Sequence, residues 1–283
     1  MNVLSKISER LHKKRLQKTA ESLKHPQSSR MEYLLSNDTP FDIMEAFRNL
    51  KAALSVSVPK REGGTTIMMT SAYPADGKTT VTVNLAMMFA LSDAKVVLVD
   101  ADIRKGRVAK YFKKHSAPGL SDCLSGQYTL DEVIHQAKDN ENLSFITCGT
   151  HSPKPYELLE SDEMKNLIAE LKKRYDYVII DTPPILLISD ALALIPITDG
   201  TALVCRHQVS YVSDIARAIN SLKFAKANLL GVIVNDYKAE KTGKFYGGYK
   251  KYYYYSSYSY GSTNPEDKED EEPNEGTMSA TKE

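Results

Sequence analysis

The sequence predicts an α/β fold, a mostly parallel sheet flanked by helices on both faces, and three observations carry that expectation. First, apolar runs recur with helical patterns between them, at 67–69, 96–99, 143–146, 177–180, 202–204 and 230–234. Runs that are apolar at consecutive positions suit strands buried on both faces, and their alternation with helices implies parallel pairing. Second, the run Thr66-Ile67-Met68-Met69 leads straight into Thr70-Ser71-Ala72-Tyr73-Pro74-Ala75-Asp76-Gly77-Lys78-Thr79-Thr80, after which 81–90 reads as a helix. Third, two other runs end in carboxylates, one in Asp100-Ala101-Asp102 and the other in Asp181. Ligands of such sheets bind beyond the carboxyl ends of the strands, so those residues are the ones to inspect.

Taken in order, the chain opens with a basic arm. Residues 1–30 carry eight Lys and Arg against Glu9 and Glu21, beside a loose stripe of Leu4, Ile7, Leu11 and Leu16. Such a segment suits an anionic membrane face or an acidic partner. His25-Pro26-Gln27-Ser28-Ser29 reads as a linker, and the nucleotide-binding domain is expected over 31–237. Its first helix is expected to be capped by Asp42 and to run to about residue 56, with Glu45, Arg48 and Lys51 as one charged stripe.

The segment that follows has the layout of a phosphate-binding P-loop, which makes the expected fold P-loop NTPase-like. A strand, a turn and a helix N-terminus aim backbone N–H groups at an anion. Asp76, Gly77, Lys78, Thr79 and Thr80 form the expected nucleotide-contacting set, with the Lys78 ammonium reaching the phosphates. Ala72 stands where the first glycine of the motif belongs. The Thr79 hydroxyl sits where a Mg²⁺ ligand belongs. Mg²⁺ takes one or two carboxylates, and Asp102 and Asp181 fill that role, which leaves Asp100 for proton chemistry. The ligands expected from the motif are therefore a nucleotide's phosphates and Mg²⁺. A strand-end aspartate can also merely cap the next turn, but three of them beside a P-loop favour the metal reading. Arg104, Lys105 and Arg107 continue from the same strand as a basic turn that could steer phosphates.

Eight of the seventeen tyrosines crowd into 246–260: Tyr246, Tyr249, Tyr252, Tyr253, Tyr254, Tyr255, Tyr258 and Tyr260. The stretch 238–260 reads as a flexible tyrosine-rich tail, with Gly247-Gly248 and Ser256-Ser257 as its hinges. Residues 261–283 carry eight acidic groups against Lys268 and Lys282 and read as a disordered acidic end.

These motifs resemble those of the bacterial tyrosine autokinases that govern capsule and exopolysaccharide export. The set Gly77-Lys78-Thr79, Asp100-Ala101-Asp102-Ile103-Arg104 and Asp181-Thr182-Pro183-Pro184 is similar to their Walker A, A′ and B motifs, and the similarity covers about residues 40–260. Glu45-x-x-Arg48-x-x-Lys51 resembles the family's oligomerisation helix, with Lys51 in place of an arginine and so without its bidentate fork. The loop Gly149-Thr150…Pro153-Lys154-Pro155 and the triplet Ser189-Asp190-Ala191 also match, with Lys154 where asparagine is usual. The resemblance implies that the nucleotide is ATP and that the chain is a protein-tyrosine kinase in which Asp100 accepts the tyrosine proton, Asp102 binds Mg²⁺, and the tail tyrosines are phosphorylated in trans. It further implies a homo-oligomer, a ring when unphosphorylated, a membrane-bound polysaccharide co-polymerase as activator, and a cognate tyrosine phosphatase.

Composition narrows the field. A formal net charge of +1 gives no global electrostatic case for nucleic acid. No run approaches the ~18 apolar residues of a membrane span, and the resemblance then implies a cytoplasmic location at the inner membrane face through a partner. Cys123, Cys148 and Cys205 fall in unrelated segments and read as packing thiols. The alternatives are a partition or MinD-like ATPase, a P-loop enzyme acting on a small metabolite, and a nucleotide-gated non-catalytic scaffold. The first carries a signature lysine five residues before the P-loop lysine, where this chain has Tyr73.

Overall fold

The computed structural model describes residues 34–237, apart from 37, 59–62 and 139. The basic arm, the eight tail tyrosines and the acidic end lie outside the described residues. In chain order the elements are α1 (Phe41–Ser57), β1 (Thr65–Ser71), α2 (Lys78–Ala90), β2 (Val96–Asp100), α3 (Val108–Tyr111), α4 (Leu120–Leu124), α5 (Leu130–Val133), β3 (Ile134–Gln136) and β4 (Leu143–Ile146). Then come α6 (Pro155–Glu160), α7 (Asp162–Arg174), β5 (Tyr177–Asp181), α8 (Asp190–Ala193), a 3₁₀ turn (Ile195–Ile197), β6 (Gly200–Arg206), α9 (Val212–Phe224) and β7 (Leu229–Asn235).

The strands form one seven-stranded sheet in the order β3-β4-β2-β5-β1-β6-β7, parallel throughout except where β3 runs against β4. Successive side chains point to opposite faces, and the core divides accordingly. Met68, Val97, Val99, Val178, Ile180 and Leu203 pack beneath α7 and α9. Ile67, Met69, Val96, Leu98, Ile179 and Val204 pack beneath α2, with Leu54 of α1 outside it. Helix α7 is anchored by Ser161, whose Oγ accepts from Met164 N at 3.2 Å, and it carries Lys172, Lys173 and Arg174 in its last turn, where cations suit the helix dipole.

Register places the ligand-bearing ends together. Asp100 on β2 lies opposite Asp181 on β5, and Met69 on the adjoining β1 also lies opposite Asp181. The loop after β1 and the carboxyl ends of β2 and β5 are thus neighbours.

Three local expectations are corrected, and one strand, β3, is additional to those expected. β1 extends through Thr70 and Ser71, which pair with Leu203 and Val204, so the loop begins later than the motif suggests. Asp42 is not the cap of α1: Pro40 occupies that position and Asp42 sits in the first turn, where a carboxylate still suits the positive end of the dipole. β7 is not buried on both faces. Among the described residues it is an edge strand with only β6 alongside, and Val232 and Val234 are 40% and 51% exposed. β3 is an antiparallel strand of three residues, too short to show a period in the sequence.

Burial therefore sets different tolerances on the two kinds of position. Met164→Ala, at a fully buried site, lowers unfolding free energy by about 2–5 kcal/mol. Val234→Ala costs under about 1 kcal/mol because half the side chain is already in water. Urea midpoints of the two variants check the contrast.

Candidate functional site

The centre of the site is an ion pair. Lys78, the first residue of α2, is 7% exposed, and its Nζ lies 2.5 Å from Asp181 Oδ1 at the end of β5, itself 1% exposed. Thr79 Oγ1 donates to the other carboxylate oxygen at 2.7 Å, and Thr82 Oγ1 lies 3.1 Å from Oδ1. The carboxylate thus gathers the ammonium and two hydroxyls of one helix end. Thr82 was not among the expected residues. It follows Lys78 by four positions, one helical turn, so the helical period alone puts it on the same face.

The loop before α2 is braced from the loop after β6 and from the end of β7. Asp76 is buried, and its carboxylate accepts from Ser210 Oγ at 2.7 Å and from Tyr73 N at 3.4 Å. Its carbonyl accepts from Asn235 Nδ2, at the end of β7, at 3.0 Å. The Asp76 side chain therefore secures the loop. Gly77 has φ +85°, and a Cβ there would collide with Asn235 Nδ2, so both the backbone and the close approach require glycine. Gly77 precedes the helix without a side-chain cap, and the first N–H groups of α2 have no acceptor within the helix. That arrangement, beside a buried cation, suits a phosphate.

Asp100 is fully buried behind this pair. Its oxygens accept from Val108 N at 2.9 Å and Asp102 N at 3.3 Å. Burial, and next the Asp181 charge, push its pKa up to about 8. Asp102 is half-buried and accepts from Lys105 N at 3.0 Å; burial raises its pKa, against the pull of Lys78. The three aspartates thus act on one another and on Lys78, which is the convergence the motifs imply. The buried thiol of Cys148 lies close by, and burial and then Asp100 push it up to about 11. One residue serves another end than expected: Arg104 holds buried Asp190 through two bonds of 2.7 and 3.1 Å. At the end of β6, Arg206 holds Asp236 at 2.9 and 3.0 Å.

The residues fit a Mg²⁺ ion. Thr79 and Asp181 already face each other across one hydrogen bond, and Asp102 sits within electrostatic reach of both Asp181 and Lys78. Among the described residues no group of three or more His, Cys, Asp or Glu could hold a metal. A Mg²⁺ ion that relies on phosphate oxygens and waters needs no such group. On α1, Glu45 and Arg48 form an ion pair one turn apart, with Lys51 on the next turn. Among the described residues no helix is long and apolar enough to cross a membrane.

Comparison with known proteins gives consistent findings. The profile of the AAA domain family matches residues 65–228. The tyrosine-protein kinase YwqD of Bacillus subtilis is 34% identical over 231 residues, spanning 82% of this chain and 91% of YwqD. EpsB of Ralstonia solanacearum is 34% identical over 234 residues, 82% of this chain but only 31% of EpsB. Among solved structures, the kinase domain of the Escherichia coli tyrosine kinase ETK superposes with a TM-score of 0.64 at 32% identity, covering 69% of this chain and 78% of that one.

Two outcomes follow from the electrostatics. A carboxyl whose folded pKa is raised binds a proton on folding. Its stabilisation is complete below the unfolded pKa, about 3.9, and is lost as pH rises. For Asp100 the loss runs up to about pH 8. Without nucleotide, Asp100→Asn, which does not titrate, gains on the wild type by about 1 kcal/mol or more between about pH 5 and about pH 8.5 in urea denaturation. Lys78→Met leaves Asp181 buried without a counter-charge and costs about 3 kcal/mol, and adding Asp181→Asn restores most of that loss in the same assay.

Proposed function

The chain belongs to the bacterial tyrosine-protein kinases, and from that premise we propose that it is an ATP-dependent kinase that phosphorylates its own C-terminal tyrosines and thereby regulates capsular or exopolysaccharide synthesis and export. The observation that carries this reading is the buried Lys78–Asp181 pair with Thr79 bonded to it and Asp100 directly behind. A phosphate-binding loop alone would suit any nucleotide-binding protein. A second, deeply buried carboxylate of raised pKa, beside the phosphate site, suits one that must remove a proton from its acceptor.

In the proposed reaction the N–H groups of residues 77–80 and the Lys78 ammonium hold the triphosphate and stabilise charge on the γ-phosphoryl. Thr79, Asp102 and Asp181 would hold Mg²⁺, which when bound neutralises the β- and γ-phosphate oxygens. A tyrosine oxygen attacks the γ-phosphorus as the bond to ADP breaks, and Asp100 takes the phenolic proton. An unperturbed phenol titrates near ~10, so a carboxylate of raised pKa is the better-matched base.

The acceptors proposed are Tyr246, Tyr249, Tyr252, Tyr253, Tyr254, Tyr255, Tyr258 and Tyr260, presented by a neighbouring copy. Glu45, Arg48 and Lys51 would join copies into a homo-oligomer, a ring in the unphosphorylated state. Each phosphate adds about −1.5 to −2 charges, which favours release of the tail and dissociation. The activator would be a membrane-bound polysaccharide co-polymerase, holding the chain at the inner membrane face, and a tyrosine phosphatase would reset the cycle. Tyr73 at the signature-lysine position weighs against the partition-ATPase reading.

Incubation of the purified chain with Mg-ATP and an activator's cytoplasmic segment is expected to give a phosphotyrosine signal on a blot. Lys78→Met and deletion of residues 246–260 each erase it, Asp100→Asn lowers it by about 100-fold or more, and light scattering shows a fall in mass on ATP treatment. Phosphotyrosine that persists in Lys78→Met overturns the reading.

A further inference from the structure

Tyr111 is a buried tyrosine that no motif singled out. Its ring is 3% exposed and packs in the cluster beneath α2, with Val81, Val108 and Phe145 among its members. Its hydroxyl lies 2.6 Å from Thr80 Oγ1, the third residue of α2. A phenol in an apolar core needs a polar partner, and here the partner is a residue of the phosphate-binding helix end. The same short helix, α3, begins with Val108, whose N–H donates to Asp100 Oδ2 at 2.9 Å. One turn of helix is therefore fastened to the proposed base at one end and to the P-loop at the other.

A hydroxyl has one proton and two acceptor sites. If Thr80 gave its proton to Tyr111, it would present only lone pairs to a phosphate and would repel it. If Tyr111 donates, the Thr80 proton is free to point into the site. The phenol is the more acidic of the two groups and the better donor. We propose that Tyr111 is a positioning residue: its O–H donates to Thr80 Oγ1 and so fixes the Thr80 hydroxyl as a hydrogen-bond donor to the nucleotide's phosphates. The inference deepens the kinase reading and rests on that reading's nucleotide site, but it does not depend on which group receives the phosphoryl.

The test is ADP binding to the full chain, followed by fluorescence of a labelled ADP, with circular dichroism as a check on folding. Tyr111→Phe keeps the ring and removes the hydroxyl. It is expected to raise the Kd for ADP about three- to tenfold, as loss of one hydrogen bond would. Thr80→Val is expected to weaken binding by at least as much, Thr80→Ser to bind like the wild type, and Tyr111→Phe added to Thr80→Val to cost nothing further. A purely structural role would lower the folded fraction and leave the Kd of the folded protein unchanged. Wild-type-like binding by Tyr111→Phe, or losses that add in the double variant, overturns the proposal. Tyr111→Leu, which removes the hydroxyl together with the ring, makes the same comparison on its folded fraction if Tyr111→Phe folds poorly. A wild-type chain that binds no ADP sinks the kinase reading and this inference together. A wild-type chain that binds ADP while Tyr111→Phe binds it equally sinks the inference alone.

Discussion

The pairing of Lys78 with Asp181 is the constraint from which the rest of the site follows. Both groups are almost wholly withdrawn from water, and a charge so placed is tolerated only when matched. The match requires the start of α2 and the end of β5 to sit within one hydrogen bond, which the pairing of β1 with β5 provides. Segment 182–185 reinforces the junction. Thr182 N donates to Met69 O at 3.1 Å, Ile185 N to Ser71 O at 2.9 Å, and Thr70 Oγ1 to Pro183 O at 3.0 Å. The strand carrying the P-loop and the strand carrying the acid are thus stitched together beyond the sheet itself.

The Lys78 charge is satisfied by Asp181. A triphosphate bound as proposed would therefore compete with Asp181 for Lys78, and a cation held by Thr79, Asp102 and Asp181 would relieve the carboxylate. On that reading nucleotide and metal would be mutually supportive ligands, because each would take up the charge that binding of the other leaves uncompensated. The preformed loop lowers the cost of that exchange. Asp76, Ser210 and Asn235 fix the backbone before any ligand arrives, so little loop entropy remains to be lost on binding.

Much of this was legible in the sequence because it is written in consecutive residues. The parallel sheet shows as unbroken apolar runs, the P-loop as Gly77-Lys78-Thr79, and the acids as strand ends. Ala72 departs from the loop motif, which has a glycine at that position. It is a buried residue at the strand's end, in the core with Met68, while the left-handed positions of the loop are Ala75 and Gly77. Ser210, Asn235 and Tyr111 could not be assigned their partners in the same way. Each meets the loop through tertiary packing, across sequence separations of 134, 159 and 31 residues. The edge character of β7 was hidden for a similar reason: valines suit a strand whether or not a neighbour covers them.

Arg104 shows how a single pairing reassigns a residue. Next to Asp102, just after the strand that ends in Asp100, a basic turn looks free to attract phosphates or an acidic segment. Its guanidinium instead grips Asp190, which is 1% exposed, through two parallel bonds. A buried carboxylate held in that bidentate manner is a fixed point. Since Asp190 begins α8, beyond the segment stitched to β1, the pair ties the loop after β2 to the loop after β5. Those two loops continue directly from Asp100 and Asp181, the last residues of β2 and β5, so the Arg104–Asp190 pair braces from outside the site the segments that follow its acids.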